Sequence, residues 1–213
     1  MAPQLNIKYF IQWALLGVLI VVATGYFSSN IKQKPRSQPN TLPESLPIIS
    51  KISPFSLTNH LGREVTENDL FGNPWLANII FTRCPTICPQ ITQTISKLLP
   101  EIGPDVKIIS LTTDPEFDSP DILNNFAKAN QATSTNWFFL TGDKQTLTTL
   151  AVDNLKMVSL PKEESKRETP TDLFIHSSLL ILVDRKGQVR ASFDSGSKDL
   201  LSEIQSALRR INR

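Results

Sequence analysis

The most informative feature of this 213-residue sequence is how few redox-active and metal-binding side chains it contains. It has two cysteines and two histidines. Two cysteines cannot form a disulfide-rich scaffold, which would spread several pairs along the chain. The formal net charge of +2 provides no strong field, so nucleic acid is not an expected partner. The length is sufficient for one well-buried domain with an appendage.

An uncharged stretch of nineteen residues, 9–27, lies near the start of the sequence. At about 1.5 Å per residue, a helix of this length just crosses a hydrocarbon core of roughly 30 Å. Tyr9, Trp13, Tyr26 and Phe27 place aromatic rings toward its two ends, as in interfacial belts. The stretch is longer than the apolar part of a usual signal peptide, and no A-x-A cleavage site follows it. An uncleaved transmembrane anchor is therefore favoured over a cleaved signal.

The segment after this stretch is rich in proline and polar side chains. Such a composition cannot build a core and favours extended, polyproline-like spacing. The sequence therefore divides into a short N-terminal segment (1–8), a transmembrane anchor (9–27), a proline-rich tether (28–51) and a folded domain (52–213).

Hydrophobic periodicity in the folded domain predicts alternating strands and helices. The predicted order is a hairpin, then βαβαβα, then a second hairpin and a helix. This order predicts an α/β fold with a mixed sheet between helices, which is the thioredoxin-like arrangement, here with an N-terminal hairpin added. The predicted strands are 55–59, a short stretch around 65, 75–81, 106–111, 137–140, 178–183 and 189–193. The predicted helices are 90–99, a helix through Ala129 with Ser119 as N-cap and Pro120 as first residue, a helix that Asp143 caps and that includes Leu147 and Leu150, and 199–211.

Several chemically active side chains are expected to meet at one edge of this sheet. Loops that leave the C-terminal ends of parallel strands gather at the same edge. Cys84 and Cys88 follow the strand 75–81, and Asp114 follows the next strand. His176 stands at the start of a strand that is expected to run antiparallel, so this start should lie at the same edge.

The types of side chain in this group favour a soft metal ion. Cys84 and Cys88 are four residues apart and would face the same way on a helical turn, whose N-terminus favours thiolates. Two thiolates and the imidazole of His176 form a three-ligand set that suits Cu(I) and can also hold Cu(II). Asp114 would either orient the site from outside the ligand set or simply begin an Asp-Pro turn.

Other interpretations of the same residues stay open at this stage. A structural disulfide would close a very small loop and stabilise little. A dithiol–disulfide oxidoreductase usually has two residues between its cysteines, and here there are three. A thiol peroxidase would carry threonine three residues before the reactive cysteine, where Phe81 and Pro85 stand. Zinc could take the two cysteines, one histidine and a water, but a structural zinc site would lack its fourth protein ligand. His176 could be a strand-edge histidine without a ligand role, and His60 is expected to be a solvated loop residue.

The segment 81–89, FTRCPTICP, is similar to the C-x-x-x-C-P signature of the Sco (SenC/PrrC) proteins. An Asp-Pro pair at 114–115, WFFLTG at 137–142 and a histidine about ninety residues after the cysteines agree with this resemblance. The resemblance covers approximately 52–213. Many members carry an acidic residue between the cysteines where this chain has Thr86, so the local field and partner docking should differ here.

The resemblance implies a thioredoxin-like domain that binds copper through Cys84, Cys88 and His176, with Asp114 outside the ligand set. It implies a metallochaperone that supplies copper to the binuclear copper centre in subunit II of cytochrome c oxidase, or another copper protein. The alternative is a thiol–disulfide oxidoreductase that keeps the client's cysteines reduced, so enzymatic activity is left open.

The resemblance also implies a location in the bacterial cytoplasmic membrane, with residues 9–27 as a single span and the domain on the extracytoplasmic side. The flanking charges favour the opposite orientation. Lys32, Lys34 and Arg36 follow the span, and the positive-inside rule alone would place them in the cytoplasm.

Overall fold

The computed structural model of the protein describes residues 17–19, 21–22, 26, 45–161, 163–166, 174–176 and 178–211. The chain divides into two compact units, Met1–Pro43 and Glu44–Arg213. The described residues of the first unit are helical. Within the described residues, no helix combines the length and the hydrophobicity needed to cross a membrane. Most of the predicted anchor, and the predicted tether up to residue 44, lie outside the described residues.

In the second unit, the described residues form one large mixed sheet and a separate two-stranded sheet. The strands are β1 (Ser50–Lys51), β2 (Ser56–Asn59), β3 (Glu64–Thr66), β4 (Trp75–Ile80), β5 (Lys107–Thr112), β6 (Trp137–Thr141), β7 (Ser159–Pro161), β8 (Phe174–His176), β9 (Leu179–Val183) and β10 (Gln188–Asp194). Eight of them follow the order β1-β10-β9-β4-β5-β6-β2-β3, and β7 pairs with β8.

The sheet combines a parallel centre with antiparallel edges, as the sequence predicts. Strands β4, β5 and β6 are parallel neighbours. Strand β9 runs antiparallel to β4, and β10 antiparallel to β9. The predicted N-terminal hairpin is present as β2 and β3, and β2 adds to the sheet beside β6. The helices are α1 (Ile87–Ile102), α2 (Pro120–Ala129), α3 (Lys144–Thr148), which continues into a π-helical turn (Thr149–Asn154), and α4 (Leu200–Ile211).

Side-chain alternation along β4 explains why both faces of the sheet are covered. Every residue of β4 is buried, as is typical of a central parallel strand. Leu76 and Ile80 point to a core that also contains side chains of α1, α2 and α4. Ala77 and Ile79 point to a second core with the N-terminal hairpin and α3. The predicted mixed sheet flanked by helices is thus confirmed.

Two helix starts follow directly from side chains that cap them. The Ser119 hydroxyl accepts a hydrogen bond from the Ile122 amide at 3.4 Å, and Pro120 is the first residue of α2. The Asp143 carboxylate accepts one from the Thr146 amide at 2.8 Å at the start of α3. Both caps were expected from the sequence, because these side chains satisfy amides that have no partner within the helix.

The strand assignment around His176 differs from the prediction. We predicted that His176 opens the strand that continues to Val183, but β9 begins only at Leu179. His176 instead ends β8, where it is paired with Ser159. The reason is that the segment Ser159–Pro161, for which the sequence predicts no strand, supplies β8 with a partner of its own.

Candidate metal centre

The two cysteines lie where β4 ends and α1 begins. The Cys84 amide donates to the Phe81 carbonyl at 3.1 Å, which places Cys84 in a turn before the helix. Helix α1 begins at Ile87 after the N-cap Thr86, so Cys88 lies in its first turn. The predicted shared helical turn is therefore formed only in part. The two side chains are nevertheless close, because the Cys88 side chain is hydrogen-bonded to Cys84. The Cys88 amide also donates to Cys84 Sγ at 3.5 Å.

This contact directs an amide of the helix N-terminus at the Cys84 sulfur. Such an amide, together with the helix dipole, stabilises negative charge on sulfur. The Thr86 side chain is exposed and makes no capping hydrogen bond.

The two thiols differ in access and in their tendency to hold a proton. Both are free cysteines in this structure. Cys84 is 7% exposed and Cys88 is 0% exposed. The hydrogen bond between the Cys88 side chain and Cys84 raises the pKa of Cys88 far above its ordinary value of 9.0, and burial raises it further. Two adjacent buried thiols, of which Cys84 is the slightly more exposed, fit a soft cation that would replace the thiol proton.

Asp114 lies at the same edge and binds the residue that precedes Cys84. Its Oδ2 accepts hydrogen bonds from Arg83 Nε at 3.0 Å and from Arg83 Nη2 at 2.5 Å. The Arg83 guanidinium stands 4.5 Å from the centre of the Phe117 ring. The Asp114 carbonyl accepts from the amides of Phe117 and Asp118, so the predicted turn is also present.

Asp118 is a site-adjacent residue that the sequence analysis missed. It is 0% exposed, and its carboxylate accepts hydrogen bonds from the Thr82 amide and from the hydroxyls of Thr82 and Thr112. Burial raises the pKa of Asp118, and its charge contributes in turn to the raised pKa of Cys88. The available signal was the second aspartate of the DPEFD segment, four residues after Asp114.

The backbone of His176 lies in β8, and its side chain is outside the described part of the structure. Strand β9, which follows His176, pairs Ile181 with Ala77, so its start lies beside the end of β4. The cysteine turn leaves from that same end of β4. Among the side chains that the structure does describe, no three histidine, cysteine or acidic groups gather into a metal-binding cluster. The role of His176 as a ligand therefore stays a prediction.

His60 is not the solvated loop residue that we predicted. It is half-buried, its Nδ1 accepts a hydrogen bond from the Phe139 amide at 3.3 Å, and its ring meets the Phe139 ring edge-on at 5.5 Å. Burial lowers the pKa of His60. The hairpin turn packs against β6, which explains the difference.

A mixed sheet between helices carries two adjacent thiols where a central strand meets a helix, an arrangement that can bind a soft metal ion or exchange disulfides. The family model for SCO1/SenC matches residues 47–211. The SCO1 protein homolog of Bacillus subtilis is 33% identical over 169 residues, which cover 76% of this chain and 84% of that protein. The chain belongs to the SCO1/SenC family.

Three solved structures are similar along most of the second unit. A SCO1/SenC family lipoprotein from Bacillus anthracis gives a TM-score of 0.67 at 28% identity, over 77% of this chain and 96% of that one. Bradyrhizobium japonicum ScoI, solved with copper bound, gives a TM-score of 0.62 at 25% identity, over 76% of this chain and 99% of that one. BsSco is described as a Sco-family cytochrome c oxidase assembly protein with a disulfide switch. It gives a TM-score of 0.63 at 32% identity, over 76% of this chain and 96% of that one.

Proposed function

We propose that this protein is a copper metallochaperone that holds copper on Cys84, Cys88 and His176. The observation that carries the proposal is the hydrogen bond between the Cys88 side chain and Cys84, which brings the two thiols together at a helix N-terminus. Adjacent thiolates with one imidazole suit Cu(I) and can also hold Cu(II). The copper-bound structure of the relative from Bradyrhizobium japonicum supports this choice of metal.

The client that we propose is the binuclear copper centre in subunit II of cytochrome c oxidase. The description of BsSco as an oxidase assembly protein supports it. The difference in exposure between the thiols suggests how transfer begins. A client thiolate would reach copper from the side of Cys84, which is 7% exposed, whereas the fully buried Cys88 would release the metal last.

We further propose that residues 9–27 anchor the protein in the bacterial cytoplasmic membrane, with the copper domain on the extracytoplasmic side. The uncharged length of this stretch supports the anchor. The similar Bacillus anthracis protein is a lipoprotein, which supports membrane attachment in general. The side of the membrane is inferred from the proposed client.

A second candidate function is thiol–disulfide exchange that keeps the client's cysteines reduced. The hydrogen bond between the Cys88 side chain and Cys84 favours it, because the two sulfurs are already neighbours in the reduced state. The disulfide switch named for BsSco also supports it. This function requires the two cysteines and does not require His176, so the two functions can be separated by one substitution.

Transfer to the client tests the proposal directly. The Cu(I)-loaded protein would be mixed with the reduced, copper-free soluble domain of oxidase subunit II, and the copper content of the client would be measured after the two proteins are separated. We expect transfer by the wild type and by His60→Gln, which alters the other histidine, and little transfer by His176→Ala. No transfer by the loaded wild type, together with rapid reduction of a disulfide-bonded client by the copper-free protein, would select thiol–disulfide exchange instead.

A further inference from the structure

The loop that carries Cys84 is attached to the end of the neighbouring strand by two carboxylates. Asp118 binds the amide and hydroxyl of Thr82, and Asp114 binds the guanidinium of Arg83. These carboxylates belong to one turn, in which the Asp118 amide donates to the Asp114 carbonyl at 2.8 Å. The two residues immediately before Cys84 are therefore both bound to the same turn.

The attachment through Asp118 and the one through Asp114 differ in kind. Asp118 is fully buried, and its carboxylate accepts hydrogen bonds from Thr82 and Thr112. The ion pair lies nearer the surface, where the Arg83 side chain is 40% exposed and that of Asp114 is 11% exposed. Exposed ion pairs contribute little to global stability. What the pair between Arg83 and Asp114 can do is restrict the conformation of the cysteine loop.

We propose that Arg83 is a positioning residue for the cysteine pair. Its guanidinium, bound to Asp114 and packed on the Phe117 ring, holds the loop so that Cys84 Sγ stays at the Cys88 amide. This inference rests on the proposed function, because it concerns the same two sulfurs. It assigns to Arg83 a geometric role and not a role as a positive charge beside the thiolates.

The geometry supports a role in positioning for two reasons. Two nitrogens of Arg83, Nε and Nη2, donate to the same carboxylate oxygen of Asp114, which fixes the orientation of the ion pair. The two opposite charges largely cancel. The contact of the guanidinium with the Phe117 ring at 4.5 Å fixes the plane of the group. A lysine would keep the charge but has no planar fork, so it could not reproduce both contacts.

The test is a double-mutant cycle in the full chain with Arg83→Gln, Asp114→Asn and the double variant, together with Arg83→Lys. Two quantities would be measured, which are the Cu(I) affinity and the equilibrium of the metal-free Cys84–Cys88 disulfide with glutathione. The control is Arg190→Gln, which breaks a 2.6 Å ion pair with Asp184 at the opposite end of β9, together with hydrogen bonds to the carbonyls of Leu46 and Pro47.

If Arg83 positions the loop, both single variants and the double variant should weaken Cu(I) binding by about 10–100-fold, as loss of an outer contact to a ligand does. Cu(I) binding by the double variant should be no weaker than by either single variant, because each substitution breaks the same ion pair. Disulfide formation should become about tenfold less favourable, which corresponds to a rise of about 30 mV in reduction potential. Arg83→Lys should recover little, and Arg190→Gln should change neither quantity.

Three results would overturn the inference. If Arg83→Gln and Asp114→Asn shift either quantity in opposite directions, or if Arg83→Lys restores both, the charge of Arg83 matters and not its geometry. If Arg83→Gln has the wild-type Cu(I) affinity and the wild-type disulfide equilibrium, Arg83 does not position the cysteine pair. Weak Cu(I) binding by the wild type would instead count against the proposed function, and the disulfide equilibrium of the metal-free protein would then decide the inference alone.

Discussion

Asp118 is a carboxylate buried beside the cysteine loop, and burial raises its pKa above the ordinary value of 3.8. As the pH rises past that value, the unfolded chain loses this proton before the folded protein does. In that interval the folded state binds more protons than the unfolded state. The free energy of unfolding therefore falls as the pH rises, until the folded carboxyl has also ionised.

We predict that Asp118→Asn removes this pH dependence. The free energy of unfolding, measured by urea titration, should favour the wild type over the variant more at about pH 4 than at about pH 7. The asparagine can still accept hydrogen bonds from the Thr82 amide and the Thr112 hydroxyl, so the variant should fold.

Asp143→Asn provides a contrast of opposite sign. Hydrogen bonds from the backbone and side chain of Thr146 lower the pKa of Asp143, so its contribution to stability is present above 3.8 and is lost as the pH falls. The advantage of the wild type over this variant should therefore grow with pH. A difference between wild type and Asp118→Asn that does not change with pH would contradict the account of Asp118.

At the level of secondary-structure elements, a buried polar chain joins the three parallel strands. The Ser110 hydroxyl on β5 donates to Asn78 Oδ1 on β4 at 2.7 Å, and it accepts from Trp137 Nε1 on β6 at 2.9 Å. All three side chains are at most 1% exposed. In the described structure, Asn78 Nδ2 has no hydrogen-bond partner. Ser110 is therefore the central member of a buried polar network.

We predict that Ser110→Ala lowers the free energy of unfolding by roughly 2–6 kcal/mol, because two buried groups each lose a partner at about 1–3 kcal/mol. Adding Asn78→Leu to this variant should recover part of the loss, since it removes one of the unpaired groups. Denaturant unfolding of the two variants measures both effects. A loss below about 0.5 kcal/mol in Ser110→Ala, as at an ordinary surface position, would contradict the network.

The elements that sequence reasoning found were those with strong local signals. The apolar runs of β4, β5 and β6 and the caps Ser119 and Asp143 are visible in the sequence itself. Strands β1, β7 and β8 have two or three residues each, which is too short for a period of two to show. Their existence depends on distant partners, which no local pattern reveals.

In the candidate site, too, the residues predicted from the sequence were those with a local signal. The cysteine pair and Asp114 were found by motif and by strand-end topology. The ion pair of Asp114 with Arg83 and the bonds of Asp118 to Thr82 join two separate loops. Contacts of this kind depend on how the loops pack, and residue spacing alone does not determine them.

At the scale of the whole molecule, the folded unit begins earlier than the start of the β2–β3 hairpin. The segment before that hairpin crosses to the opposite edge of the sheet, where β1 pairs with β10. The Ile49 amide donates to the Val189 carbonyl at 2.8 Å, and the Ile52 amide to the Gly187 carbonyl at 2.9 Å. The Ser53 amide donates to Asn154 Oδ1 at 2.8 Å. These bonds make the segment part of the folded unit Glu44–Arg213.

We predict that a fragment beginning at Glu44 unfolds cooperatively with the stability of a longer chain, because it retains all these contacts. A fragment beginning at Pro54 should be less stable by roughly 2–4 kcal/mol, at about 1 kcal/mol for each lost hydrogen bond. Thermal and urea unfolding of the two fragments would show the difference. Equal stability of both fragments would mean that β1 is not part of the cooperative unit.

The central claim is that Cys84, Cys88 and His176 together hold copper. The most direct measurement is the Cu(I) affinity of the reduced protein, by competition with a chromophoric chelator, for the wild type, His176→Ala and His60→Gln. We predict tight one-to-one binding by the wild type and by His60→Gln, and binding weaker by more than about tenfold in His176→Ala, which loses a ligand. Weak binding, or tight binding that does not depend on His176, would contradict the claim.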